Sequence, residues 1–253
     1  MLSKAGFWHL KPYHRLSVAE FVEEWVGWKP LVELVELMPE PWILERGFIA
    51  ALFLTGGRVS EVLALKAENF EVRKTEGLII VRGMPLYKRY RKIAEQPAVG
   101  KRKWITERLE KTRKPFPIPL NEPLVPYLLK LLEATREGLL FPSPRRLGKP
   151  LSRFWAYKLI RSLDAAVPDS LRHRLGLDKP FVKDGKRIAD KLHLWLHWFR
   201  AQRASQLASE YNFELHDLID FFSWEHLGTA LTYSRKGWKG LAVKMLEAGS
   251  HAR

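Results

Sequence analysis

Residues 42–54 are apolar almost throughout, with Glu45 and Arg46 the only charges, and they run into Thr55-Gly56-Gly57-Arg58. A segment of that length with so little polar face reads as a mostly buried helix, around which other elements must pack. The paired glycines permit a turn with backbone angles that other residues avoid. Helix resumes over residues 60–67, so a helix-turn-helix delivers Arg58.

The rest of the chain supplies mostly helices. Residues 18–38 repeat apolar positions at helical spacing (Trp25, Leu31, Leu34, Leu37), and Glu40-Pro41 breaks that helix. Residues 77–82 read as a strand, and residues 115–120 as an extended return segment whose prolines confine it to an edge or strand end. The basic stretch between them is too long for a tight hairpin, so a basic insertion is expected over 83–114, partly helical around Ile105 to Leu109. Helices are expected at 123–135, 152–166, 191–209, 214–222, 228–233 and 238–247, with a loop-like basic linker over 167–190. No internal repeat or low-complexity tract is visible. The expected fold is mainly α with a small antiparallel β-sheet (α+β).

Charge narrows the partners. The 253 residues carry 43 Lys and Arg against 28 Asp and Glu, a formal net charge of +15. Such an excess favours a polyanion, because each phosphate neutralised releases condensed counterions. Acidic membranes would compete for the role, but no long apolar span or secretory signal occurs near the N-terminus, which points to a cytoplasmic protein. Residues 1–50 are acidic on balance. Between 82 and 114, by contrast, Arg82, Lys88, Arg89, Arg91, Lys92, Lys101, Arg102, Lys103, Arg108, Lys111, Arg113 and Lys114 dominate. A second basic stretch spans 145–191. Single charge runs are usually solvated faces, but two of them flanking the boxes described next favour a double-stranded DNA footprint. Cysteine is absent, which excludes disulfides, thiolate catalysis and Cys-bound zinc. Asn occurs only at 69, 121 and 212 and Gln only at 96, 202 and 206, a scarcity expected of a heat-adapted protein.

Three boxes carry chemistry. They are Thr55-Gly56-Gly57-Arg58-Val59-Ser60-Glu61, His197-Trp198-Phe199-Arg200, and Phe222-Ser223-Trp224 with Thr232-Tyr233-Ser234-Arg235. Breaking a phosphodiester without a metal requires charge stabilisation on the non-bridging oxygens and a proton for the leaving 5′-oxygen. Arg58 and Arg200 suit the first task, since a guanidinium stays charged and donates two parallel hydrogen bonds. His197 lies on the same helical face as Arg200 and could bond phosphate or assist proton transfer. Trp224 can only donate through its indole N–H. Tyr233 is the candidate nucleophile; a phenol with a pKa of about 10 needs a cationic pocket or a base. A lysine is the natural general acid. Each piece also has an ordinary structural reading: a helix-start Arg58–Glu61 pair, surface and cap residues on a Trp-rich helix, and core aromatics. Their joint occurrence in order favours a single site. His193 and His197 lack a third ligand and an intervening Glu, so no metal and no cofactor is expected.

Over residues 42–240 this pattern resembles the tyrosine recombinases (phage-type integrases), which cut and rejoin DNA through a phosphotyrosine bond without metal or ATP. The first box is similar to the family's Thr-Gly-x-Arg-x-x-Glu turn, which implies a catalytic role for Arg58 and a structural one for Glu61. His197 and Arg200 match the second box, although the family's histidine after the arginine is Ala201 here. Aligning the last block from Phe222 makes Tyr233 the nucleophile and puts Trp224 where a second histidine usually stands, with His226 as an alternative imidazole. The family's lysine sits in a β-hairpin before a Pro-Leu pair, here Pro119-Leu120. Counting back gives Lys111, with Lys114 and Lys88 as alternatives. Lys88, Arg89, Lys101, Arg102, Lys103, Arg113 and Lys114 are the expected DNA contacts. The resemblance implies a site-specific recombinase of a prokaryotic or archaeal host, or of its virus or plasmid. The alternatives are a type IB topoisomerase-like relaxase and a non-catalytic DNA-binding relative. It divides the chain into a short helical segment (1–40) without the family's full clamping domain, a catalytic domain (41–237), and a tail helix (238–253) that could dock on a neighbouring subunit in a dimer or tetramer on DNA.

Overall fold

The computed structural model describes residues 25–93, 104–183, 186–189 and 192–224, with side chains left undescribed at 88–110 and 181–191. Helix α1 is Trp28–Glu36, α2 is Ile43–Thr55 and α3 is Val59–Leu63. Strands β1 (Phe70–Arg73), β2 (Leu78–Val81), β3 (Pro85–Ile93), β4 (Trp104–Thr112) and β5 (Phe116–Pro119) follow. Next come α4 (Val125–Thr135), α5 (Arg153–Ala166), α6 (Asp169–Arg174), β6 (Phe181–Lys183) and β7 (Lys186–Ala189). Helices α7 (Leu196–Glu210) and α8 (Leu215–Phe222) complete the described elements. Mainly helical with a small antiparallel sheet, the fold matches the class expected from the sequence.

Helix α2 is the centre, as its composition requires. Every residue from Gly47 to Thr55 is buried. Phe48 meets Phe141 and Trp155 edge-on at 5.4 and 5.2 Å between ring centroids. Where α4 crosses α2, a Cβ on Gly47 would lie 2.7 Å from Leu131 Cβ, so the two helices approach as closely as a missing side chain allows. Burying α2 on all sides explains why it lacks an amphipathic pattern.

The three-stranded sheet has order β1-β2-β5, antiparallel throughout, with Ile79 opposite both Val72 and Ile118. Strand β1 escaped the sequence reading because four residues, Phe-Glu-Val-Arg, are too few to display a period. Strands β3 and β4 form a separate two-stranded ribbon from Pro85↔Thr112 to Ile93↔Trp104. The expected helix around Ile105 to Leu109 is therefore wrong: these residues pair as strand with Lys92 to Lys88. Ile105 and Leu109, four residues apart with Thr106, Glu107 and Arg108 between them, fit one face of a helix as well as one face of a strand, so their spacing did not separate the two. The linker expected over 167–190 is also corrected, because it contains α6 and the β6–β7 hairpin. The helices expected at 228–233 and 238–247 lie outside the described residues. No helix among the described residues is long and apolar enough to cross a membrane.

Candidate strand-transfer site

The first box sits at the C-terminal end of α2. Gly56 is left-handed (φ 56°), which caps the helix and turns the chain. A Cβ there would be 2.4 Å from Phe222 Cε1, so glycine is required by contact as well as by angle. The Thr55 hydroxyl donates to the Ala51 carbonyl at 2.6 Å and accepts from the Gly57 N–H at 3.1 Å. Arg58 then starts α3. The fully buried Glu61 carboxylate accepts the Arg58 backbone N–H at 2.8 Å and its Nη1 at 2.9 Å. The Arg58 side chain nevertheless keeps 46% of its surface exposed. Glu61 thus orients a guanidinium whose other edge faces solvent.

The second box opens α7. Arg200 is 2% exposed and donates from Nη1 to the Gly56 carbonyl oxygen. Its Cζ lies 4.7 Å from the Phe222 ring centroid and 5.6 Å from that of Trp224. One side chain therefore joins all three boxes. Ahead of α7, Asp164 on α5 accepts from Arg172 Nη1 at 3.0 Å and from the Leu194 N–H at 2.8 Å, while its other oxygen is 2.8 Å from His193 Nδ1. Burial opposes the charge on Asp164, but the Leu194 N–H, His193 and Arg172 outweigh it and hold the carboxyl below its usual range. This clasp fixes the approach to His197.

His197 has exposed surface, yet it is crowded enough that desolvation is the largest influence on its ring. Arg200 and then Arg58 add like-charge repulsion, and the pKa falls to about 4. At neutral pH the ring is an uncharged imidazole, able to donate from one nitrogen and accept at the other.

In the third box, Ser223 is left-handed (φ 50°) and ends α8. Trp224 is buried and stacks on Phe222 at 4.5 Å and 10° between planes. It forms with Phe222 an aromatic shelf beneath Arg200. Tyr233, His226 and the tail lie outside the described residues.

The basic residues fare unequally. Lys111 is exposed near the end of β4, opposite the buried Leu86 on the β3–β4 ribbon. Lys114 is just beyond it, with its ammonium 2.7 Å from Asp220 and its N–H donating to Ser223 Oγ. Lys88 and Arg89 lie on β3, their side chains outside the described atoms, and Lys101, Arg102 and Lys103 fall wholly outside. Arg113 is a correction. Expected on a DNA-facing surface, it is 3% exposed and bound to backbone carbonyls. Arg172 is likewise buried, in the Asp164 clasp. A charge run alone does not distinguish such arginines from solvated ones.

Two features were not expected. Arg203, one turn beyond Arg200, is fully buried and donates from Nη1 to both Glu122 oxygens (2.7 and 2.8 Å) and to Gln206 (2.6 Å). Tyr211 also donates to Glu122. Its phenol pKa is raised by burial and by that carboxylate. The pattern Arg200-x-x-Arg203 on an otherwise buried helix was the available signal. The other is the outer face of α5, where Arg153, Phe154, Tyr157, Lys158 and Arg161 recur at helical spacing and are exposed. Phe154 and Tyr157 expose 66% and 52% of their surface, and Lys158 Nζ lies 4.8 Å over the Phe154 ring. Basic and aromatic residues on one outward stripe suit a nucleic acid surface.

No protein-family model and no curated protein matches the chain. Among solved structures it is similar to XerA recombinase, with a TM-score of 0.51 and 16% identity over 88% of this chain and 62% of that one. The XerH site-specific recombinase bound to its difH substrate gives 0.46, with 16% identity over 81% and 47% of the two chains. The Tn1549 transposon integrase in complex with circular intermediate DNA also gives 0.46, with 13% identity over 84% and 61%. The chain thus spans less than two thirds of these proteins. At such identities the likeness to XerA recombinase concerns the fold alone, the mainly helical one described above.

Proposed function

We propose that this chain is a site-specific DNA recombinase that cleaves and rejoins double-stranded DNA through a 3′-phosphotyrosine. The observation that carries the reading is the convergence of Arg58, His197 and Arg200, with Arg200 bonded to the Gly56 carbonyl two residues before Arg58. Two guanidiniums and a neutral imidazole near one another favour an anion whose charge grows during the reaction.

Arg58 and Arg200 hold the non-bridging oxygens of the scissile phosphate. The Tyr233 oxygen attacks phosphorus as its proton passes to the neutral His197 imidazole, and the bond to the 5′-oxygen breaks as the Tyr–O–P bond forms. Lys111 gives the departing 5′-oxygen a proton. A second 5′-hydroxyl reverses the sequence on a new partner strand, so the phosphodiester is conserved and no ATP is used. His197 bonds a phosphate oxygen, and Trp224 packs beside Arg200. Residues 41–237 form the catalytic unit in this reading, and the α5 stripe and the β3–β4 ribbon contact DNA. The 238–253 tail links protomers.

A nicked suicide substrate should trap a covalent protein–DNA adduct, and Tyr233→Phe should trap none. Arg58→Ala or Arg200→Ala should slow trapping by on the order of 10²–10³ while DNA binding persists. No adduct from folded wild-type protein, or an adduct from Tyr233→Phe, would reject the mechanism. Relaxation of plasmid lacking any cognate site would instead favour a topoisomerase.

A further inference from the structure

Arg113 is a buried cation to which strand transfer by Arg58, Arg200, Lys111 and Tyr233 assigns no task. It follows the end of β4, two residues beyond Lys111, and its N–H donates to the Met84 carbonyl at 2.9 Å. Nη1 donates to the carbonyl of Thr55, the last residue of α2, at 2.8 Å. Nη2 donates to the carbonyl of Phe221, in the last turn of α8. The guanidinium carbon lies 4.2 Å from the Phe116 ring centroid, 5.4 Å from that of Phe221 and 5.8 Å from that of Phe222.

An arginine in this position is costly. Burial opposes its charge most, and Arg200, Arg58 and Arg203 oppose it further, against only Glu61 in its favour. A methionine would fill similar space without that penalty. What the guanidinium adds is a fork that reaches two helix C-termini at once, where partial negative charge favours a cation. Both ends belong to the site. Thr55 precedes the Gly56 carbonyl that receives Arg200, and Phe221 precedes the Phe222–Trp224 shelf under Arg200.

We propose that Arg113 is a positioning residue: it fixes the Gly56-Gly57-Arg58 turn and the Phe222–Trp224 shelf in one register with the hairpin that bears Lys111. The proposal rests on the recombinase reading of Arg58, Arg200 and Lys111. Because Arg113 is buried from solvent, its loss changes the rate of strand cleavage and not DNA affinity.

The test compares Arg113→Met and Arg113→Lys with wild type in three measurements: DNA affinity, single-turnover adduct formation at saturating suicide substrate, and amide hydrogen exchange. Arg113→Met should bind DNA like wild type, yet form adduct about 10²-fold more slowly, the scale of a reacting group misplaced by an ångström. Amides of 56–61 and 222–224 should exchange faster together. Arg113→Lys, which keeps the charge but reaches one carbonyl, should recover part of the rate. Wild-type cleavage by folded Arg113→Met overturns the proposal. So do parallel losses of binding and cleavage, or faster exchange at only one of the two segments. If Arg113→Met melts below the assay temperature, Arg113→Lys decides, because wild-type rate and exchange in that variant reject the two-carbonyl tie. Absence of adduct from wild type counts against the recombinase reading alone, and the exchange comparison still decides whether Arg113 joins the two segments.

Discussion

Arg58 and Arg200 differ sharply in exposure. Arg58 is oriented along one edge by Glu61 and open along the other, whereas Arg200 is enclosed between a carbonyl and an aromatic shelf. An arriving phosphate would meet an exposed clamp first and a rigid one behind it. His197, which feels the charge of both, has a consequence for pH. Its folded pKa of about 4 lies below the 6.5 of a free imidazole, so the unfolded chain binds more protons between those values. The contribution is complete above pH 6.5 and is lost as pH falls through about 4. His197→Gln should therefore flatten the decline in melting temperature between pH 6.5 and 4, which thermal denaturation in a buffer series would read. An unchanged slope would mean that the imidazole is not held neutral. A bound phosphate acts in the opposite direction, so DNA should raise the His197 pKa, visible as a shifted imidazole titration by NMR.

At the scale of elements, α7 is the keel of the site. It carries His197 and Arg200 and, one turn on, Arg203, which joins a buried network with Glu122, Gln206 and Tyr211. Removing Glu122 would strand a buried guanidinium. Glu122→Ala should cost about 3–5 kcal/mol, the scale for breaking a buried pair from one side, measured by urea denaturation. A cost below about 1 kcal/mol would place that pair in solvent instead. Helices α2, α4, α5, α7 and α8 were legible because long apolar or periodic runs announce them, and so was the glycine turn that presents Arg58. The β3–β4 ribbon was not. A two-stranded ribbon has no sheet core to enforce alternation, and its basic side chains obscured the period. Spacing singled out Arg58, His197 and Arg200, and the fold brings them near one another. Arg113 was misread because a charge run does not reveal which guanidiniums turn inward to cap carbonyls.

For the whole molecule, the excess of positive charge is spent in two ways. Arg113, Arg172, Arg200 and Arg203 are buried and hold the framework, while Arg153, Lys158 and Arg161 face outward on α5. DNA affinity should fall steeply with salt, and replacing Lys158 and Arg161 by Ala should reduce the log–log slope by about 0.9 for each phosphate that those two side chains neutralise. Fluorescence anisotropy at several salt concentrations would show it, and an unaltered slope would remove α5 from the footprint. Gly56 extends the argument to genetics. Its left-handed angle, its contact with Phe222 and its carbonyl bond to Arg200 make it a hinge-pin that contains no reacting atom. Gly56→Ala should behave as a conditional allele, retaining DNA occupancy and every catalytic side chain, yet losing strand cleavage first as the growth temperature rises. On the proposed reading, a cell carrying it would hold a protein that still marks its target but leaves the sequence uncut, separable from wild type by warming alone.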